Sequence, residues 1–400
     1  MPETLAIIPA RSGSKGVHNK NIRDMCGTPL LGWTISAAIK STKINRVLVS
    51  TDSEQYAQIA HKHGAEAPFL RPNTISNDTA SSESALLHAL NWLQEKEKYS
   101  PEFIVFLQCT SPLTLAEDID RCVEKLISEN ADSALTVASS HTFLWKNLSS
   151  GAEGINHNKA IRLRRQDMEP EFRETGAVYA MKTEGFLKHK HRFFGKTILS
   201  TVPPERSYEI DNESDWLVCE SLLRKRIQTE KFATIPNNLK AIVFDFDGVF
   251  TDNRVWVDQN GNESVACSRS DGLRLNELKK AFPSLQLLIL SKERNPVVSK
   301  RAKKLNLSVL QGVDQKSQFL DNWLQEHNYK WSEIIYVGND LNDVEALRRS
   351  GCGIAVNDAY HCAKDASNII LDNRGGNGAV RELIDILLST KLKQENLKQS

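Results

Sequence analysis

The stretch AIVFDFDGVFTDN sets Asp245 and Asp247 directly after an apolar run, with Gly248 permitting a sharp exit. Two like charges that close are costly without a cation, so the pair points to a Mg²⁺ site. Three further fragments follow in order: Ser291 ends LLIL, Lys316 opens a helix in VDQKSQF, and GNDLND, from Gly338 to Asp343, follows IIYV. A second constellation lies at the amino end, where Ala6-Ile7-Ile8 leads into Pro9-Ala10-Arg11-Ser12-Gly13-Ser14-Lys15-Gly16 and then Asn19-Lys20-Asn21. Its small residues let successive amides turn toward a phosphate, while Arg11, Lys15 and Lys20 supply charge. The spacings G-x-x-x-x-G-K-[ST] and G-x-G-x-x-G are both absent, so neither an ordinary P-loop nor a dinucleotide fingerprint is read here. Asp211, with Glu209 on the same face of an extended segment by the two-residue period, offers carboxylates to a second Mg²⁺.

These groups need elements to hold them. Short apolar runs recur at LAIIPA, RVLVST, FIVFLQ, SALTVA, AIVFDF, LLILS, IIYVG and GIAV, separated mostly by helix-like amphipathic stretches. That alternation predicts an α/β fold with largely parallel sheets and ligands at the carboxyl ends of the strands. A chain of 400 residues is too long for one ordinary core, which favours two domains. QTEKFATIPNNLK loses periodicity, predicting a first domain over 1–228, a linker over 229–240, a second domain over 241–390 and a polar tail over 391–400. VWVDQNGNESV predicts a hairpin with a type I′ turn at Asn260-Gly261, a flap able to cover a site.

Lys plus Arg, at 51, nearly cancels Asp plus Glu, at 50, so no global field would hold nucleic acid or an acidic membrane face. No apolar run approaches a bilayer span and the start lacks a signal-peptide layout, so the expectation is a cytoplasmic protein without a membrane partner. Seven scattered cysteines without a C-x-x-C pair read as reduced, mostly buried thiols. KHKHR, from Lys188 to Arg192, reads as a surface basic run rather than a transition-metal site, since no partner stands at ligand spacing.

IIPARSGSKGVHNKNI, Ser50-Thr51-Asp52, Leu70-Arg71-Pro72, NDTASS, QCTSPL and EIDNESDW, taken in order, resemble the cytidylyltransferases that activate sialic acids and related 2-keto acid sugars as CMP-sugars. The resemblance covers about the first 220 residues and implies a nucleotidyltransferase-type, Rossmann-like mixed sheet. It implies that Arg11 and Lys20 grip the triphosphate of CTP within the loop of Ser12, Gly13, Ser14 and Lys15, while Asn21, Arg71, Ala80 and Ser82 seat the nucleotide. The acceptor, an acidic nine-carbon sugar, would meet Gln108, Lys146, Arg165 (or, in the same run IRLRRQ, Arg162 or Arg164) and Arg173, with Tyr179 lining the pocket; Arg suits bidentate carboxylate binding. Glu209 stands where Asp is common, and Thr175-Gly176-Ala177 where sialate enzymes commonly carry Asn-Gly-Ala.

The second set resembles haloacid-dehalogenase-type phosphatases, and DGVFTD, SDGLRL and RGGNGAVREL resemble the small, capless enzymes acting on Kdo 8-phosphate and sialate 9-phosphate. That resemblance implies attack by Asp245 on a phosphomonoester, proton transfer by Asp247, phosphate contacts from Ser291 and Lys316, and Asp340 or Asp343 completing the Mg²⁺ site. It also implies a homotetramer built through this domain. Asn339 stands where Asp is frequent, and Lys292 where Gly follows the Ser291 position. Two other readings are an assembly module without chemistry and a phosphatase whose first domain senses a nucleotide; the intact aspartate pair and the metal carboxylates favour two activities.

Overall fold

A computed structural model describes residues 2–397 apart from Ser14, Lys15, Asp78 and Arg162, and for Arg165, Lys231 and residues 390–397 the backbone alone. The chain divides into two compact units, residues 1–225 and 226–400. In the first unit six strands lie in the order Thr197–Thr201, Ser133–Ser140, Glu171–Lys182, Phe103–Leu107, Thr4–Pro9, Arg46–Ser50. Glu171–Lys182 runs antiparallel to both neighbours and the remaining pairs are parallel, so the sheet is mixed. The strands Thr4–Pro9, Arg46–Ser50 and Phe103–Leu107 are covered on both faces and read as near-continuous apolar runs, whereas the edge strand Thr197–Thr201 alternates buried and exposed residues. Ala6 and Ile8 enter one core with Val49 and Val105, whereas Leu5 and Ile7 enter the other with Leu48 and Phe106. Helix Ala116–Ser128 packs on the first face through Ile119, Cys122, Val123 and Leu126, a spacing of three and four residues.

In the second unit six parallel strands take the order Ser308–Leu310, Gln286–Leu290, Ala241–Phe244, Ile334–Gly338, Cys352–Ala355, Ile369–Ile370. Ala241–Phe244 is central, between Gln286–Leu290 and Ile334–Gly338. The residues just past these three carboxyl ends, Asp245, Ser291 and Asn339, therefore converge although the chain separates them widely.

The hairpin pairs Thr251–Val257 with Glu263–Cys267, but its turn differs from the expected type I′. Val257 faces Glu263, leaving a five-residue loop in which Gly261 has φ +78° and Asn260 is not left-handed. Asp258 is the reason: its carboxylate accepts from the Asn260 and Asn262 amides and from Asn262 Nδ2, favouring a wider loop. Helix Glu213–Phe232 continues into the expected linker, since no breaker intervenes before Pro236. All seven cysteines are free, four of them buried, and no helix among the described residues is long and apolar enough to cross a membrane.

Candidate active sites

The first unit holds a cavity of about 330 Å³ at the carboxyl ends of Thr4–Pro9 and Phe103–Leu107. Arg11, Lys20, Asn21, Arg71, Ala80, Ser82, Gln108 and Asp211 line it, bringing most of the expected nucleotide contacts together. The phosphate loop and the carboxylate segment are locked to one another. Lys20 Nζ donates to the Ile210 carbonyl at 2.7 Å, Asn21 Nδ2 donates to the Arg11 carbonyl at 3.1 Å, and a Cβ on Gly16 would lie 2.1 Å from the Asp211 carbonyl oxygen. Ser12 is not among the cavity-lining residues; its amide (2.9 Å) and hydroxyl (2.8 Å) both donate to Asp52, which ties the loop to the neighbouring strand end. Ser14 and Lys15 lie outside the described residues.

Glu209 sits beside Asp211, held by the Thr110 hydroxyl at 2.8 Å and fitted over Gly176, where a Cβ would come within 2.4 Å of Oε2. Burial pushes its carboxyl up; the Thr110 hydrogen bond opposes that and Asp211 adds to it. Asp211 and Glu209 offer hard oxygen donors suited to Mg²⁺. The expected sugar contacts are more dispersed. Lys146 is exposed on the hairpin Trp145–Leu148 with Gly151–Gly154, Arg173 donates to Ser207 Oγ at 2.7 Å, and the side chain of Arg165 is outside the described part. Tyr179 is buried rather than lining the cavity, because its ring stacks on Phe106 at 5.3 Å and its hydroxyl donates to Glu174. Arg192, from the basic run, is no surface residue: its guanidinium lies 4.8 Å from the Phe106 ring and 4.7 Å from Tyr179, with Nε donating to Glu83 at 2.7 Å.

The second unit holds a cavity of about 480 Å³ lined by Asp245, Asp247, Ser291, Asn339 and Asp340 among others. Lys316, 2 % exposed, lies beneath it, 2.7 Å from Asp245 and 2.8 Å from Asp343. Asp343 is saturated: Oδ1 accepts from Lys316 Nζ and the Tyr336 hydroxyl (2.7 Å), and Oδ2 from the Asn339 (2.9 Å) and Asp340 (3.2 Å) amides. Those four donors leave it no lone pair aimed at the cavity, so its geometry suits orienting Lys316 rather than ligating a metal. Burial raises the Asp245 carboxyl and Asp343 adds to the rise, while Lys316 opposes both. Burial also raises Asp247, with Glu293 adding and Lys316 opposing.

Whether this unit fits a cation turns on Asn339. Its Oδ1 is buried without a hydrogen-bond partner, and the amide packs where a Cβ on Gly248 would sit 2.0 Å from Nδ2. An orphaned buried oxygen beside two carboxylates is costly unless a ligand meets it. No three His, Cys, Asp or Glu side chains converge as a metal site among the described residues, so a cation here would use amide and water oxygens as well as carboxylates, as Mg²⁺ does.

The family model described as Cytidylyltransferase matches residues 5–222. The chain belongs to the cytidylyltransferase family. A second model, haloacid dehalogenase-like hydrolase, matches residues 266–383, beginning after the aspartate pair that the fold joins to it. This cytidylyltransferase is 31% identical over 401 residues to N-acylneuraminate cytidylyltransferase A of Danio rerio, covering 98% of this chain and 90% of that one. It is 30% identical over 260 residues to N-acylneuraminate cytidylyltransferase of Escherichia coli, covering 61% of this chain and 58% of that one. Among solved structures, 3-deoxy-D-manno-octulosonate 8-phosphate phosphatase from Moraxella catarrhalis, in complex with magnesium ion, phosphate ion and KDO, aligns at 29% identity and TM-score 0.39, over 43% of this chain and 97% of that one.

Proposed function

We propose that the first unit transfers CMP from CTP to an N-acylneuraminate or a close nonulosonate with release of pyrophosphate, and that the second hydrolyses a phosphate ester of such a sugar, sialate 9-phosphate being the leading candidate. The observation that carries the first half is the cavity itself: Arg11, Lys20, Arg71 and Asp211 line one space, in a chain 98% of which aligns with an N-acylneuraminate cytidylyltransferase. In-line transfer requires neutralised triphosphate oxygens and an oriented acceptor hydroxyl. Arg11 and Lys20 would hold the phosphates, Asn21, Arg71, Ala80 and Ser82 the nucleoside, and Gln108 the sugar. Asp211, with Glu209 behind it, would hold Mg²⁺, which supplies charge stabilisation at the transferring phosphorus.

For the second half the carrying observation is the buried array Asp245, Lys316, Asp343. Asp245 attacks phosphorus, forming an aspartyl phosphate as the ester oxygen leaves with a proton from Asp247. Asp247 then takes a proton from the water that hydrolyses the acyl phosphate, restoring Asp245. Ser291 and Lys316 hold phosphate oxygens. Asp245, the Asp247 main chain and Asn339 Oδ1 would hold Mg²⁺, with Asp340 at the rim; this assigns to Asn339 the place expected of Asp340 or Asp343. Val255, Trp256 and Val257 on the hairpin are exposed, Trp256 at 69 %, which supports burial against another copy in a homotetramer. The direct assay follows pyrophosphate release from CTP with sialic acid and phosphate release from sialate 9-phosphate on the intact chain; absence of either product removes that half of the proposal.

A further inference from the structure

Resting on the phosphatase reading of the second unit, we propose that Lys292 recognises the carboxylate of the substrate and so selects phosphate esters of acidic sugars over neutral ones. The cavity is strongly acidic, with Asp245, Asp247, Glu293, Asp314 and Asp340 in its lining. Lys316 already serves Asp245 and Asp343 from below. A substrate bearing a carboxylate besides its phosphate brings an extra anion into that field, and its entry is opposed unless a cation stands where the carboxylate arrives.

Lys292 and Arg294 are the cations among the described lining residues. Arg294 leans toward Asp314, with Nη2 3.7 Å from Oδ2. Lys292 is exposed and, among the described residues, has neither a hydrogen bond nor an ion pair, so its donors are open to a ligand. Its main chain is nonetheless fixed. Ser291 on one side is 1 % exposed and accepts the Glu293 amide on Oγ at 3.0 Å; Glu293 on the other side accepts the Arg294 and Asn295 amides at 2.6 and 2.8 Å. The ammonium is thus carried on a flexible stem from an anchored point directly after Ser291, the residue proposed to hold the phosphate. Phosphate and carboxylate of one small sugar can then be read from adjacent residues.

The test compares sialate 9-phosphate with its C1 methyl ester, identical except for the carboxylate charge, using the full chain and p-nitrophenyl phosphate as a generic ester. The native protein should show a higher kcat/KM for the acid than for the methyl ester. In Lys292→Met, which keeps the apolar stem, that ratio should fall about tenfold, the loss of one hydrogen bond to a charged group, and Lys292→Arg should retain it. A ratio near one in the native protein, or an equal ratio in Lys292→Met, overturns the proposal while p-nitrophenyl phosphate hydrolysis leaves the phosphatase reading standing. Failure on all three esters overturns both.

Discussion

At the scale of single residues, the aspartates that end a strand were legible because type and local spacing define them; residues that act through a partner were not. Asp245 and Asp247 stand two apart in the chain, whereas Asp343 is defined by donors from Lys316, Tyr336 and its own loop, and Arg192 by rings from Phe106 and Tyr179. No string of letters carries that information. Asp211→Asn should lower cytidylyl transfer kcat by about 10²–10³-fold while changing CTP binding by less than about threefold, since its charge acts on the transition state. Steady-state kinetics with calorimetric CTP titration checks this, and a variant with native turnover removes Asp211 from the machinery. Glu293→Gln probes the other site. Glu293 raises the Asp247 carboxyl, second only to burial. Removing its charge lowers that pKa, so the protonated acid is lost at lower pH and the alkaline limb of the phosphatase profile should move to lower pH. An unmoved limb would mean that Asp247 is not the acid it reports.

At the scale of elements, the order of strands and helices follows from apolar runs, and the layering from strands buried on both faces. Turn geometry and close approach do not. The Asn260-Gly261 dipeptide suggested a two-residue turn, and Asp258 two positions earlier widened it with its carboxylate. Gly16 read as a permissive residue in a phosphate loop, yet its consequence is steric: the loop backbone lies against the Asp211 carbonyl, where a Cβ would stand at 2.1 Å. Gly16→Ala should therefore push the cationic loop off the carboxylate segment. A displacement of about 1 Å at a reacting centre costs about 10²-fold, so pyrophosphate release should fall by that order while phosphate release by the second unit keeps its rate. Equal loss in both assays would indicate general unfolding instead.

At the scale of the whole molecule, composition announced two cores, and the chain does divide into two units, each with a site at the carboxyl ends of its strands. Assembly is less legible, because the same apolar hairpin residues would suit a flap or an interface. Trp256→Ser should lower the particle mass in multi-angle light scattering if the hairpin is covered by another copy; an unchanged mass leaves Trp256 outside the assembly contact. The central claim is that one chain removes the phosphate from an acidic sugar and then activates the product. Its most direct test supplies the intact protein with CTP, Mg²⁺ and sialate 9-phosphate and follows inorganic phosphate, pyrophosphate and CMP-sugar together, for the native chain and for Asp245→Asn. The native chain should release phosphate first and CMP-sugar after it. Asp245→Asn should release no phosphate and make no CMP-sugar from the ester, yet make it at the native rate from the free acid. Equal CMP-sugar formation from the ester by both proteins, or no phosphate release by the native chain, would contradict the account.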